Sequence, residues 1–258
     1  GRAPVLMPMH FEDGFPIIGE NGKVPEVVTV LDTGYQYAAI NGSDDFFYKP
    51  DENGQITLKN FWEFNHQQMD DFWSVTENPG HLRLHSAKLS PTLFQAYNTL
   101  TQRTVGPKCA AEVTLRFAHM KNGDVAGIST FIGNYGFTGV KKENDQFYLI
   151  MMGRPAKDTT VFGQFEYENP GIEYQRVPII DTSVCLRAEA DFTDKKDLAS
   201  FFYKNREGWQ KLGIDQPMYF KMDLFTGCRF GLFYYSTKQT GGFVDFSKFQ
   251  FFEPKEEG

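Results

Sequence analysis

The sequence predicts an all-β protein built as an antiparallel sandwich, and three observations carry that prediction. The 258 residues include 26 Phe and 12 Tyr, with 24 Gly and 13 Pro between them. Short aromatic-rich runs punctuated by turn formers are the composition of strands. Several runs also alternate with a period of two. Residues 112–117 place Val113, Leu115 and Phe117 on one buried face, and residues 184–191 do the same for Val184, Leu186, Ala188 and Ala190. Finally, these runs succeed one another without the intervening helices that a parallel α/β sheet requires.

The elements follow in chain order. Residues 3–28 carry four prolines and three glycines around short apolar runs such as Val5-Leu6-Met7, which predicts one or two short strands and a connector, too little for a domain. Residues 29–59 are polar and turn-rich, with Asn41-Gly42 and Asn53-Gly54 as turn signals, and are expected to form a linker lying on a neighbouring surface. Beyond residue 60, strands are expected at 81–85, 113–117, 127–132, 147–152, 160–167, 184–190, 198–204, 218–224, 229–235 and 243–252. The stretch 194–200 is short enough to be a turn between strands.

Charge and motifs exclude several functions. A net charge of −7 opposes a sequence-independent grip on nucleic acid or an anionic membrane, both of which need a surplus of Lys and Arg. No apolar run approaches the ~20 residues of a membrane span, and the Gly-Arg-Ala-Pro start lacks the pattern of a signal peptide, so a soluble chain, mature or truncated, is expected. Cys109, Cys185 and Cys228 are odd in number and widely spaced, which predicts buried thiols rather than a disulfide framework or a zinc ribbon. The chain holds no GxSxG, HExxH, P-loop or GxGxxG.

The remaining candidates are polar and aromatic groups. Glu12-Asp13, Asp44-Asp45 and Asp70-Asp71 are adjacent acids, but neighbours on an extended chain point opposite ways, so solvated loops or turn caps are expected rather than the carboxyl pair of a glycosidase. His81, Arg83 and His85 share one strand face opposite Leu82 and Leu84. They are read as a solvated face, with the lining of a sugar-binding face as the functional alternative; two histidines about 13 Å apart do not share one zinc ion. Trp62, Trp73, Trp209, Tyr203, Tyr234 and Tyr235 are of the type that stacks on pyranose rings, and equally of the type that fills a sandwich core.

Two blocks of residues add a family resemblance. PMHFEDGFPIIGENGKVP (8–25) resembles the closing segment of the five-bladed β-propeller of glycoside hydrolase family 43. FWEFNHQQMDDFWSVTENPGHLRLHS and LFQAYNTLTQRTVGP, within 61–107, resemble the start of the C-terminal concanavalin A-like β-sandwich of that family's β-xylosidases and α-L-arabinofuranosidases. NGDVAGISTFIGNYGFTGVKK (122–142), FFYKNREGWQKLG (201–213) and FVDFSKFQFFE (243–253) continue the match. The resemblance implies a propeller remnant over 1–28, a linker over 29–59 and a concanavalin A-like antiparallel β-sandwich (jelly roll) over 60–258.

By the same resemblance, Phe225 in Leu224-Phe225-Thr226-Gly227 matches a rim residue of the active-site pocket, and Arg2 matches an arginine that contacts a sugar hydroxyl. The family's catalytic acids sit on earlier propeller blades and match no residue here, so no catalytic residue is assigned. Inverting hydrolysis needs an acid and a base together, and the chain alone is expected to be inert. No cofactor is required, although sandwiches of this kind often hold a structural calcium ion, for which Glu63 and Asp245 are the nameable donors. The implied partners are a xylo- or arabino-oligosaccharide and the catalytic propeller domain. The alternatives are a free-standing, lectin-like carbohydrate-binding sandwich and a purely structural module. Unpaired cysteines lean towards the cytoplasm and the family towards a periplasmic or secreted setting, and the sequence leaves both open.

Overall fold

The computed structural model describes residues 5–154, 168–219 and 227–254. The chain divides into two compact units, Gly1–Ala38 and Ala39–Gly258. In the first unit, β1 (Met9–Glu12) and β2 (Phe15–Ile18) form a two-stranded antiparallel hairpin. Its turn is Asp13-Gly14, both at positive φ (48° and 84°), the backbone that a two-residue hairpin loop demands and that Asp-Gly readily adopts. Its other described residues, 5–8 and 19–38, hold no strand or helix beyond an isolated bridge between Glu20 and Lys23.

The second unit is the expected sandwich. Its strands are β3 (Glu63–Phe64), β4 (Trp73–Ser74), β5 (Leu82–His85), β6 (Leu100–Arg103), β7 (Lys108–Arg116), β8 (Asp124–Phe131), β9 (Gly136–Glu143) and β10 (Gln146–Gly153). After them come β11 (Ile172–Ile179), β12 (Ser183–Asp191), β13 (Leu198–Asn205), β14 (Gly208–Lys211), β15 (Gln216–Pro217), β16 (Arg229–Ser236) and β17 (Phe243–Phe252). One sheet runs β11-β10-β9-β8-β16-β6-β3, and the other β14-β13-β12-β7-β17-β5-β4 with β15 added beside β13. Every pairing between these strands is antiparallel.

Alternation does the sorting that the sequence predicts. Val113, Leu115, Val184, Leu186, Leu82, Leu84, Val244 and Phe246 all point inward and are buried, and facing residues such as Ile128, Val140, Met151 and Leu232 complete the core from the other sheet. A second apolar cluster, centred on Tyr135, Phe137, Phe233 and Ile150, lies on the other side of the seven-stranded sheet. That sheet is covered on both faces, so β8 and β16 are buried at every position.

Two expected features differ from the structure. The predicted linker 29–59 splits at Ala38/Ala39: its first part belongs to the hairpin unit, whereas 39–59 belongs to the sandwich unit. Asp44 is the reason. Expected in a solvated loop or turn cap, it does cap a turn, accepting the Phe46 N–H at 2.9 Å, but it is buried. Its carboxylate also accepts Trp62 Nε1–H at 2.8 Å and the Tyr48 hydroxyl, and pairs with Lys59 Nζ at 3.1 Å. Its backbone N–H meets the Phe249 carbonyl at 2.9 Å. Around this hub Phe46 stacks on Trp62 at 6.0 Å, and Phe249 meets Trp62 edge to face at 4.9 Å.

The second difference lies in the strand list. β9 and β11 appear where none was singled out, the expected strand at 160–167 lies outside the described residues, and of 218–224 only residues up to 219 are described. The stretch 194–200 is a 3-10 turn, Thr193–Lys195, leading into β13.

Candidate functional site

Register brings polar residues together on the outer face of the eight-stranded sheet. Leu82, Leu84, Val244, Phe246 and Leu115 face the core, so the residues between them face outward. Arg83 on β5 pairs with Asp245 on β17, Asp245 with Arg116 on β7, and Arg116 with Ser183 on β12, making one transverse row across four strands. Phe243 and His85 pair in the neighbouring row.

This row lines a pocket of about 430 Å³, together with Asn78, His119, Thr182 and Phe243. Arg83 donates to both oxygens of Asp245, from Nε at 2.7 Å and Nη2 at 2.8 Å, and Asn78 Nδ2 donates at 2.9 Å. Burial pushes the Asp245 carboxyl up, but these hydrogen bonds outweigh it and hold the group below the ordinary carboxylate range. Arg83 also pairs with Glu77 at 3.3 Å, and Glu77 meets His85 Nε2 at 3.1 Å. The Phe243 ring centroid lies 4.2 Å from the Arg83 guanidinium carbon and 4.2 Å from the His119 ring, which stacks on it at 17°.

A larger cleft of about 530 Å³ opens beside it, lined by Leu149, Val177 and Ile179 of one sheet and Val184, Tyr203 and Asn205 of the other. Ser183 borders both spaces.

The residues singled out from the sequence distribute as follows. Phe225 and Arg2 lie outside the described residues. Glu63 and Asp245, the calcium candidates, stand on different sheets. Glu63 belongs to the seven-stranded sheet and is held by Arg229 at 2.7 Å and Arg103 at 3.8 Å, whereas Asp245 belongs to the eight-stranded sheet and is held by Arg83. Hydrogen bonding from Arg229 keeps the Glu63 carboxyl low despite some desolvation. Each carboxylate is paired with arginine, and calcium takes six or more oxygens. Among the described residues no group of three or more His, Cys, Asp or Glu is placed to hold a metal ion.

Of the aromatic candidates, Trp62, Tyr234 and Tyr235 are buried in the core. Tyr234 donates to Asp124 Oδ2 at 2.6 Å. Trp73 packs on Phe64 at 5.0 Å, and Trp209 lies under the Arg187 guanidinium at 4.1 Å. Tyr203 lines the larger of the two clefts. Cys109 and Cys228 are buried as expected, while Cys185 is half-buried on the outer sheet face. His81, Arg83 and His85 stand opposite buried Leu82 and Leu84, as the alternation requires. Sequence reasoning missed Arg116, His119 and Phe243, which join this site only through strand order.

Comparison with known proteins agrees with the fold. Residues 51–252 match the model of the β-xylosidase C-terminal concanavalin A-like domain. A β-xylosidase of Formosa agariphila is 28% identical over 279 aligned positions, covering 97% of this chain and 43% of the relative. A solved bifunctional GH43-CE protein of Bacteroides eggerthii superposes with a TM-score of 0.81 at 34% identity, covering 99% of this chain and 31% of that one. A solved GH43 glycoside hydrolase engineered to show both endo-xylanase and exo-arabinofuranosidase activity superposes at 0.78 with 26% identity, covering 96% of this chain and 49% of that one. The chain therefore spans less than half the length of each of these proteins. With four-fifths of its length under one family model and an all-β sandwich to match, the chain belongs to the β-xylosidase C-terminal concanavalin A-like domain family of glycoside hydrolase family 43.

Proposed function

We propose that the chain is the accessory C-terminal module of a family 43 glycoside hydrolase acting on xylan or arabinoxylan, and that it docks on the catalytic propeller through its first 38 residues. One observation carries this reading. In the β1–β2 register Met9 pairs with Ile18 and Phe11 with Pro16, so one face of the hairpin is wholly apolar. Met9, Phe11 and Ile18 are 57%, 65% and 52% exposed, and Phe15 and Ile17 on the other face are exposed too. An isolated two-stranded hairpin is marginal in water, and its open edges invite pairing. Such an element is suited to completing a larger sheet, and burying each large side chain contributes roughly 1.5–3 kcal/mol. The resemblance of 8–25 to a closing propeller segment and the greater length of the relatives support a family 43 propeller as the occupant.

In this reading Phe225 reaches the rim of the substrate pocket, Arg2 contacts the sugar, and xylo- or arabino-oligosaccharides are cleaved by carboxylates of the propeller. The chain alone does not hydrolyse glycosides. The test is co-expression with a family 43 propeller lacking its own C-terminal region. A stable complex that cleaves aryl xylosides or arabinofuranosides, in which Phe225→Ala raises KM or lowers kcat, supports the proposal. Absence of association, or hydrolysis by the isolated chain above a buffer blank, overturns it.

A further inference from the structure

We propose that the pocket on the outer face of the eight-stranded sheet binds a uronic acid carried as a side group on a pentosan chain. The pocket lies entirely within the sandwich unit, on β5, β17, β7 and β12 and the turns beside them. At about 430 Å³ it falls within the ~300–1,000 Å³ range of small-molecule sites.

Its charge balance selects an anion. The carboxylates bordering it are accounted for: Asp245 is engaged by Arg83 and Asn78, and Glu77 by Arg83 and His85. Asp181 faces the neighbouring cleft. Arg116 stands next to Asp245 in the same row, yet Arg83 occupies that carboxylate. The exposed Arg116 guanidinium has no ion pair or side-chain hydrogen bond among the described residues. A planar guanidinium in the lining of a pocket suits a carboxylate, which it can grip with two parallel hydrogen bonds.

The rest of the lining selects a sugar over a bare anion. The exposed His119 ring, backed by Phe243, is a flat surface for the C–H face of a pyranose, and Asn78, Thr182 and Ser183 supply amide and hydroxyl groups for its hydroxyls. Arg83 is a positioning residue. By holding Asp245, it keeps that carboxylate from pairing with Arg116 and leaves the second cation for the ligand. The polyhydroxyl lining and the carboxylate grip together describe a uronate. Its placement on a pentosan rests on the proposed function; the uronate preference of the pocket does not.

The test is titration calorimetry on the 258-residue chain with four probes: sodium D-glucuronate, a glucuronosyl-substituted xylotriose, unsubstituted xylotriose and sodium acetate. The expected result is binding of both glucuronate-bearing probes, with the substituted xylotriose favoured about tenfold or more over the unsubstituted one. Arg116→Ala should weaken both about tenfold or more, the scale of losing a charge-assisted pair. Arg116 is exposed, so its variant should melt like the parent, and Arg116→Lys should restore binding only in part. Equal binding of acetate and glucuronate, equal binding of substituted and plain xylotriose, undiminished binding by Arg116→Ala, or no heat from any probe would each overturn the proposal. Failure of the docking reading would show instead as no complex with a propeller, with these titrations unchanged.

Discussion

Residues 5–38 and residues 39–62 look alike as sequence, both turn-rich with short apolar runs, and the structure treats them oppositely. In the first segment large apolar side chains stand exposed, from Ile17 at 37% to Leu31 at 87%. In the second, Phe46, Phe61 and Trp62 are buried in the sandwich core, and the buried Asp44 ties three of its side chains together. The difference shows what makes a segment part of a domain. Apolar content alone does not do it; an apolar segment becomes structural when its polar groups find partners, because a buried carboxylate without donors is prohibitive. Asp44 has those donors. The 5–38 unit instead presents an open sheet with apolar side chains, which is the form of an element completed from outside.

The comparison can be broken most severely by truncation. Removal of residues 1–59 deletes Asp44 and Phe46 and uncovers Trp62 and Phe249, and is expected to abolish cooperative thermal unfolding followed by circular dichroism. Asp44→Ala comes next: with Trp62 Nε1 and the Tyr48 hydroxyl left without their acceptor, a loss of about 3 kcal/mol in urea unfolding is expected. Removal of residues 1–38 has the smallest effect of the three, a melting shift within about 2 °C, together with a lower tendency to aggregate as the exposed apolar surface is lost.

The acid limb of stability provides a finer probe of the sandwich alone. The Asp245 carboxyl titrates below its ordinary value in the folded chain because Arg83 and Asn78 outweigh its burial. Its contribution is therefore fully present above the unfolded carboxyl pKa of about 4 and is lost as pH falls through the folded value. Urea midpoints measured from pH 6 down to about pH 3 should fall less steeply in Asp245→Asn than in the parent. Asp124 has the opposite sign. Burial raises its carboxyl despite hydrogen bonds from Ser236, Tyr234 and the Lys121 N–H, so its ionisation weakens folding as pH rises through the folded value.

Much of this architecture is legible in the sequence because antiparallel strands announce themselves by local alternation. β5, β12, β13, β16 and β17 stand within a residue of where the pattern puts them. β9 carries little alternation because its first five residues are buried on both faces, and the edge strand β11 is masked by Pro178, a residue that sheets tolerate at an edge. The site was less legible. Arg83 and Asp245 each stand out in the sequence, one on a polar strand face and the other as a calcium donor, but their pairing depends on β5 and β17 being neighbours. Arg116 and Phe243 carry no local signal at all. The same holds for Asp44, whose burial is decided by Trp62, eighteen residues further on.

Amide hydrogen exchange on the intact chain tests the central claim, that the sandwich begins at residue 39, and with it the proposal that another domain covers the hairpin before it. The account predicts that amides of residues 9–18 exchange nearly as fast as in an unstructured peptide. Those of Asp44, Phe46 and Trp62, bonded to Phe249, Asp44 and Lys59, should be protected to the level of the central strand β7. Equal protection in the two segments, or fast exchange in both, would contradict it.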